Sequence, residues 1–243
     1  MGAAPRAWLV AHIDSKSQPI SLVVRAAGIV VLGLAWLAAL ALTIDAIARG
    51  DARRDSWTVV LIAALVGAVP VIASVVGTGS AGAIDNASGV ATVLAAAELS
   101  ADAPVGVLIT DAEELGLAGA RAWCAAIGED RVPVLNCDGV DDAGVLTLMW
   151  TRPRSPRLER AIRDAAARVG ERLRVIPLIP GVLVDGLAFS DAGWEVVTLS
   201  RGSLETLRRI HTRRDDLARV QGVGVAAAAR VVARAVGHIV ERS

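Results

Sequence analysis

Two long stretches without a charged side chain, residues 26–44 and 56–76, lie close together early in the chain. Each is long enough to cross a hydrocarbon layer of roughly 30 Å as a helix. The segment between them, Arg49-Gly50-Asp51-Ala52-Arg53-Arg54-Asp55, is short and polar, so the pair reads as a membrane hairpin. Trp57 opens the second run, where an interfacial indole is expected, while Trp36 lies mid-span. Pro70 predicts a kink, which membrane helices tolerate when a neighbour covers the freed carbonyl. The alternative is a pair of very apolar core helices. A cleavable signal is disfavoured, because the apolar run starts late, is too long and is followed at once by another.

Composition fits an insertion of this kind. The hydrophobic fraction is 54% and the mean hydropathy +0.53, more than a soluble core needs, and the excess is concentrated in these two runs. The expected organisation is therefore residues 1–19 and 77–243 as one domain, with residues 20–76 inserted as a transmembrane hairpin in a multi-pass protein of the cell membrane. The formal net charge is zero, which gives no reason to expect a nucleic-acid partner. Arg49, Arg53 and Arg54 in the connecting loop slightly outweigh Lys16 and Arg25 on the other side, placing that loop in the cytoplasm. The missing cleavable signal argues the other way, and the side stays open. Lys16 is the only lysine, tyrosine is absent, and Cys124 and Cys137 are the only cysteines. Neither cysteine belongs to a Cys-x-x-Cys motif, so the redox compartment is open as well.

Outside the hairpin, short apolar runs alternate with helical patterns. Residues 8–13, 105–110, 132–137, 145–150, 173–179 and 195–199 read as strands. Residues 88–99, 115–126 and 155–169 read as helices, and 215–240 as a long helical stretch broken near Gly222 and Gly224. This alternation predicts a three-layer α/β/α sandwich with a mixed, mostly parallel sheet, interrupted by the two-helix hairpin. His12, Glu113, Glu114 and Asp138 follow strand ends, where ligands gather in open α/β sheets.

Those residues, with Asp14, Asp85 and His211, form an inventory suited to metal chemistry: two imidazoles, a potential bridging carboxylate, two further carboxylate ligands and a free carboxylate for proton transfer. Strand alternation puts Asp14 on the same face as His12, where it can buttress the imidazole. Asp85 sits in a loop opening onto a helix. Glu113 and Glu114 are adjacent and can point different ways, one toward metal and one toward a proton. Asp215 can orient His211 or cap the next helix. Singly, each fragment is more often structural detail than a site; their order and setting carry the reading. His238, among Val236, Ile239 and Val240, reads as a partly buried or surface histidine.

The segments AHIDSKSQ, GAIDNASGVA, DAEELGLAGARAW, LNCDGVDD and IHTRRDD, in that order, resemble the five signature segments of the two-zinc aminopeptidases and glutamate-carboxypeptidase-like enzymes, metallopeptidase family twenty-eight of clan MH. Residues 185–189 and 193–199 resemble the family segment preceding its last histidine. The resemblance covers most of residues 7–220 apart from the hairpin. It implies that His12 and Asp138 hold one zinc, Glu114 and His211 the other, and that Asp85 bridges them. Glu113 would be the general base and Asp14 the partner behind His12. The implied activity is a membrane-anchored exopeptidase, aminopeptidase-like, acting on peptides or small amino-acid conjugates. Two Zn²⁺ ions fit the His/carboxylate set, with Mn²⁺ or Co²⁺ able to substitute.

The chain departs from that pattern in three ways. Only eleven residues precede His12, where the family has further strands and helices: either the start site is misplaced, or a partner supplies the missing edge, or the fold is reduced. A hairpin occupies a connection that is ordinarily short. With no tyrosine, zinc or a backbone amide would have to stabilise the oxyanion. The competing readings are a single-zinc, glutaminyl-cyclase-like enzyme and an inactive relative that binds a partner. A dinucleotide-binding reading of Gly77-Thr78-Gly79-Ser80-Ala81-Gly82 requires a short strand before it and a helix directly after it.

Overall fold

The computed structural model describes residues 4–51, 53–127 and 131–241. Its centre is a six-stranded sheet of β1 (Ala7–His12), β2 (Val105–Thr110), β3 (Val134–Val140), β4 (Val145–Trp150), β5 (Leu173–Pro177) and β6 (Val196–Gly202). The spatial order is β2-β1-β3-β6-β4-β5. The first four run parallel, β4 is antiparallel to β6, and β5 is parallel to β4. The sheet is mixed and mostly parallel, as expected. β2 pairs only with β1, so one edge of the sheet is a short, half-buried strand.

The inner strands are apolar over their first halves, where both faces are covered, and carry their polar residues toward their carboxyl ends. On β1, Ala7, Leu9 and Ala11 enter one core, while Val10 and the flanking Trp8 enter the other. The first core lies under α3 (Gly89–Leu99), α5 (Pro156–Val169) and α8 (Val223–Glu241). Alanines at 227, 228, 229 and 235 let α8 approach α3 and α5 closely. α5 starts sharply because Ser155 caps it by accepting from Leu158 N and Pro156 suits its first turn; Gly170 closes it at φ 81°. The opposite face carries α4 (Ala118–Ala126) and α6 (Asp185–Asp191), sealed by Trp8, Trp123, Phe189 and Trp194 with ring centroids 5.2–5.8 Å apart.

Between β1 and α3 the chain leaves this sandwich as α1 (Leu22–Arg49) and α2 (Arg54–Ile72). These are not core helices: only 11% and 6% of their most apolar windows are buried. They pack on each other where glycines allow it. A Cβ on Gly28 would lie 2.6 Å from Pro70 Cγ and 2.7 Å from Gly67 O. Pro70 lies inside α2, in its last turn, and its carbonyl accepts from Ser74 Oγ. By length and composition three described helices could cross a membrane; the third, α8, is 56% buried in the sandwich.

The two ends of the hairpin meet. Ser17 and Gly77 form an antiparallel bridge, with N–H···O distances of 2.7 and 2.8 Å. Ser17 Oγ also accepts from Gly79 N, and Gln18 Nε2 donates to Ser74 O. Both ends therefore lie on one side of the sandwich. The segment 77–82 that follows is irregular and comes after a helix, not a strand, which removes the setting a dinucleotide fingerprint needs.

Candidate metal centre

His12 ends β1, and β3, next to it, brings Asp138 alongside. Asp138 is not beyond the strand, as its sequence position suggests, but inside β3 at an irregularity between Cys137 and Val140. His12 Nε2 lies 3.8 Å from Asp138 Oδ1 and 3.3 Å from Asp85 Oδ1. The other oxygen of Asp85 is 2.8 Å from His211 Nε2, which is 3.2 Å from Glu114 Oε1. Two triads result, His12/Asp85/Asp138 and Asp85/Glu114/His211, each with ligand atoms within 4.8 Å of one another, and they share Asp85.

The backbone around these groups is pinned by side chains from far along the chain. Asp14 presents Oδ1 to Glu113 N at 3.0 Å and Oδ2 to Glu114 N at 3.1 Å, while also lying 3.4 Å from His12 Nδ1. Asp14 thus sets all three: its backbone carbonyl lies 3.0 Å from His12 Nδ1, and its carboxylate holds both glutamate amides. Asp215 does the same for the opposite loop: its two oxygens accept from Ile84 N at 2.7 Å and Asp85 N at 3.1 Å. It neither orients His211 nor caps the next helix; Asp216 supplies a cap by accepting from Ala218 N. The sequence left this clamp unseen, because a contact between residues 130 positions apart has no local spacing.

Asn86, available in the sequence with Ser88 as a cap for the helix over 88–99, does cap its start and also holds the Asp138 backbone. Its Nδ2 donates to Cys137 O, and its Oδ1 accepts from Gly89 N and Gly139 N, bracketing Asp138. Ser88 Oγ donates to Ile84 O and accepts from Val140 N. The signal that could have found the second role is Gly89: any Cβ there would sit 2.1 Å from Asn86 Oδ1 and 2.5 Å from Cys137 O. His211 adopts a left-handed φ of 60°, and its carbonyl accepts from Gln18 N at 2.7 Å, tying the site to the root of the hairpin. His238 is remote, within hydrogen-bond distance of Arg168.

The charges are crowded. Burial disfavours a charged His12, but the carboxylates of Asp138 and Asp85 outweigh it and push its pKa up to about 12. His211 is likewise raised against burial, to about 9, by Asp85 and Glu114. Burial acts to raise Asp85, yet the two imidazoles hold it well below the usual carboxylate range. Burial, then the charge of Asp138, push Glu113 up to about 9. Burial also raises Asp138. Lys16 Nζ is bonded to Glu114 Oε2, while buried Glu114 Oε1 has no hydrogen-bond donor. Four carboxylates and two imidazoles converging with an unsatisfied oxygen fit divalent cations of the zinc class.

Solved structures share this fold. BSAP, a zinc aminopeptidase from Bacillus subtilis, superposes with a TM-score of 0.63 at 20% identity, over 97% of this chain and 46% of that one. An aminopeptidase from Aneurinibacillus sp. strain AM-1 gives 0.59 at 24% identity, over 67% and 41%. A glutaminyl cyclase from an Acidobacteriales bacterium gives 0.54 at 18% identity, over 67% and 63%. The chain thus spans less than half the length of these two aminopeptidases. No curated protein matches it. The model of peptidase family M28 matches residues 5–236, hairpin included, and the chain belongs to that family.

Proposed function

We propose that the chain is a membrane-anchored, zinc-dependent exopeptidase, aminopeptidase-like in its centre, with two zinc sites. The observation that carries this reading is the shared Asp85 carboxylate, one oxygen toward each imidazole. His12 and Asp138 would hold one zinc, Glu114 and His211 the other, and Asp85 both. Bound zinc supplies Lewis acidity that polarises a scissile carbonyl and acidifies water.

The protein's own part follows from placement. The Glu113 carboxylate makes no hydrogen bond or ion pair among the described residues, although it lines the cleft beside Asp138. Its oxygens are free to accept a proton from the attacking water and return it to the leaving nitrogen. Asp14 holds the Glu113 amide, so the base is positioned from its backbone. Lys16, by occupying Glu114 Oε2, leaves Oε1 as the ligand atom facing His211. The anchor would be α1 and α2, whose apolar side chains point outward, with residues 1–19 and 77–243 forming the catalytic domain.

The test is zinc analysis of the purified chain together with hydrolysis of a small panel of aminoacyl and N-acyl substrates. Two zinc ions per chain are expected, and Glu113→Gln should keep both while losing at least ~10²-fold in kcat. One zinc would favour a cyclase-like centre, and none a partner-binding relative. Equal activity in Glu113→Gln removes the proposed base.

A further inference from the structure

Above the centre lies a cleft of about 820 Å³, a size that accommodates a small-molecule ligand. Its acidic lining consists of Asp85, Glu113, Glu114 and Asp138, all part of the centre itself. Its remaining charged lining, apart from His211, is cationic: Lys16, Arg25, Arg174 and Arg201. Lys16 is paired with Glu114, and Arg201 with Glu171 at 3.0 Å. Arg25 donates to the neutral Gln18 side chain and feels the charge of Glu114, yet neither it nor Arg174 lies within ion-pair distance of a carboxylate among the described residues. A free substrate ammonium would find no carboxylate outside those of the centre itself, and an ammonium taken from water without a partner is costly. A substrate carboxylate finds two guanidiniums.

The rest of the wall is aliphatic. Ile176, Ile179 and Leu183 come from β5 and the loop after it, and Leu204, Leu207 and Ile210 from α7 (Leu204–Arg209) and its end. Ile179, Leu183 and Leu204 are each more than half exposed, an apolar patch that needs an occupant. α7 packs on α1, and Leu22, the first residue of α1, lines the same cleft as Arg25. The aliphatic wall therefore runs into the outward-facing apolar surface of the hairpin.

We infer that the substrate is an amphipathic amide: a long aliphatic acyl chain joined to an amino acid that keeps its free carboxylate. This rests on the hydrolase reading above and names its substrate class. The chain lies along the wall from the bilayer side and the carboxylate pairs with Arg25. Water adds across the amide, its oxygen to the acyl carbon and its proton to nitrogen, and the C–N bond breaks. The products are a fatty carboxylate and a free amino acid.

The experiment uses the full, zinc-loaded chain in detergent micelles. N-acyl-leucines with acetyl, octanoyl and dodecanoyl chains are compared with N-dodecanoyl-leucinamide, which lacks the carboxylate, and with leucine anilide, which has a free ammonium. Expected is a rise in kcat/KM of about fourfold per added buried methylene, the equivalent of about 0.8 kcal/mol, and at least a tenfold preference for dodecanoyl-leucine over its amide. Arg25→Gln should raise KM for dodecanoyl-leucine at least tenfold more than it raises KM for dodecanoyl-leucinamide. Leu204→Ser, at an exposed position, should flatten the chain-length dependence, which partitioning into micelles alone would not do. Hydrolysis of leucine anilide at equal or greater efficiency, with no chain-length effect, overturns the inference and leaves the peptidase reading standing. Failure to cleave any of the five substrates by zinc-loaded protein overturns both.

Discussion

Replacing Asp215 by alanine removes the clamp that holds the loop of Asp85, the proposed shared ligand. Asp215 is fully buried, and its two oxygens are each accepting a backbone N–H, from Ile84 and from Asp85. Alanine leaves both donors buried with no acceptor, at about 1–3 kcal/mol each, or about 2–6 kcal/mol together. That is a large part of the ~5–15 kcal/mol that stabilises an ordinary domain. Asparagine separates the two bonds: its carbonyl oxygen can still accept from Ile84, while its amide faces Asp85 N–H without accepting, so about half the loss is expected. Loosening Asp85 also weakens zinc, by the ~10–100-fold typical when a ligand loses its support. The assay is a melting curve of the full chain with and without zinc, beside competition with a chromophoric chelator. The expected order is wild type, then Asp215→Asn, then Asp215→Ala, in both melting temperature and zinc affinity. If Asp215→Ala melts like the wild type and holds zinc as tightly, the clamp does not position Asp85 and the reasoning is wrong.

Three further outcomes follow from the geometry. Gly89→Ala drives a Cβ to 2.1 Å from Asn86 Oδ1 and 2.5 Å from Cys137 O; a loss of about 1–3 kcal/mol in denaturation, with reduced zinc retention, is expected. Gly28→Leu places its Cβ against Pro70 and the Gly67 carbonyl and should splay α1 from α2, read as a lost disulfide between cysteines introduced on the two helices near that contact. Asp185 is raised to about 6 by burial, against the hydrogen bond from Thr110. Because its folded pKa exceeds the ~3.9 of an unfolded aspartate, its favourable contribution is complete below pH ~4 and disappears as pH rises through about 6. Asp185→Asn should therefore raise stability at pH 8, by roughly 3 kcal/mol at most, and change little at pH 4, which melting curves at the two pH values will check.

The parts of the molecule legible in the sequence are those whose cause is local. The hairpin follows from two charge-free runs, and strands 105–110 and 145–150 keep their expected bounds because both are short apolar runs ended by polar or turn residues. Element ends moved where a cap decides them: Ser155 stands outside α5 as its cap, and Arg25 lies within the first turns of α1 instead of bounding it. The expected helical stretch from Asp215 onward divides at Gly222, whose φ is 81°, so α8 starts only at Val223. The seven candidate site residues do converge, because the sheet order sets the ends of β1, β2 and β3 side by side. What stayed hidden is tertiary. Asp14 reaches the Glu113 and Glu114 amides, Asp215 those of Ile84 and Asp85, and Asn86 brackets Asp138, through contacts between distant segments that no spacing announces. Arg25 and Leu22 read as the start of an anchor and are also part of the cleft wall.

The bridge between Ser17 and Gly77 makes the apolar hairpin a detachable module. Chain departure and return are already knotted together by two reciprocal amide bonds, so everything between them could be swapped for a tight reverse turn without moving β1 or α3. A spliced version of that kind would lack the two helices whose apolar windows are only 11% and 6% buried. It would forfeit what the excised limb contributes directly: the Gln18 tether on His211, the packing of α1 on α7, and Leu22 and the Arg25 guanidinium of the cleft wall.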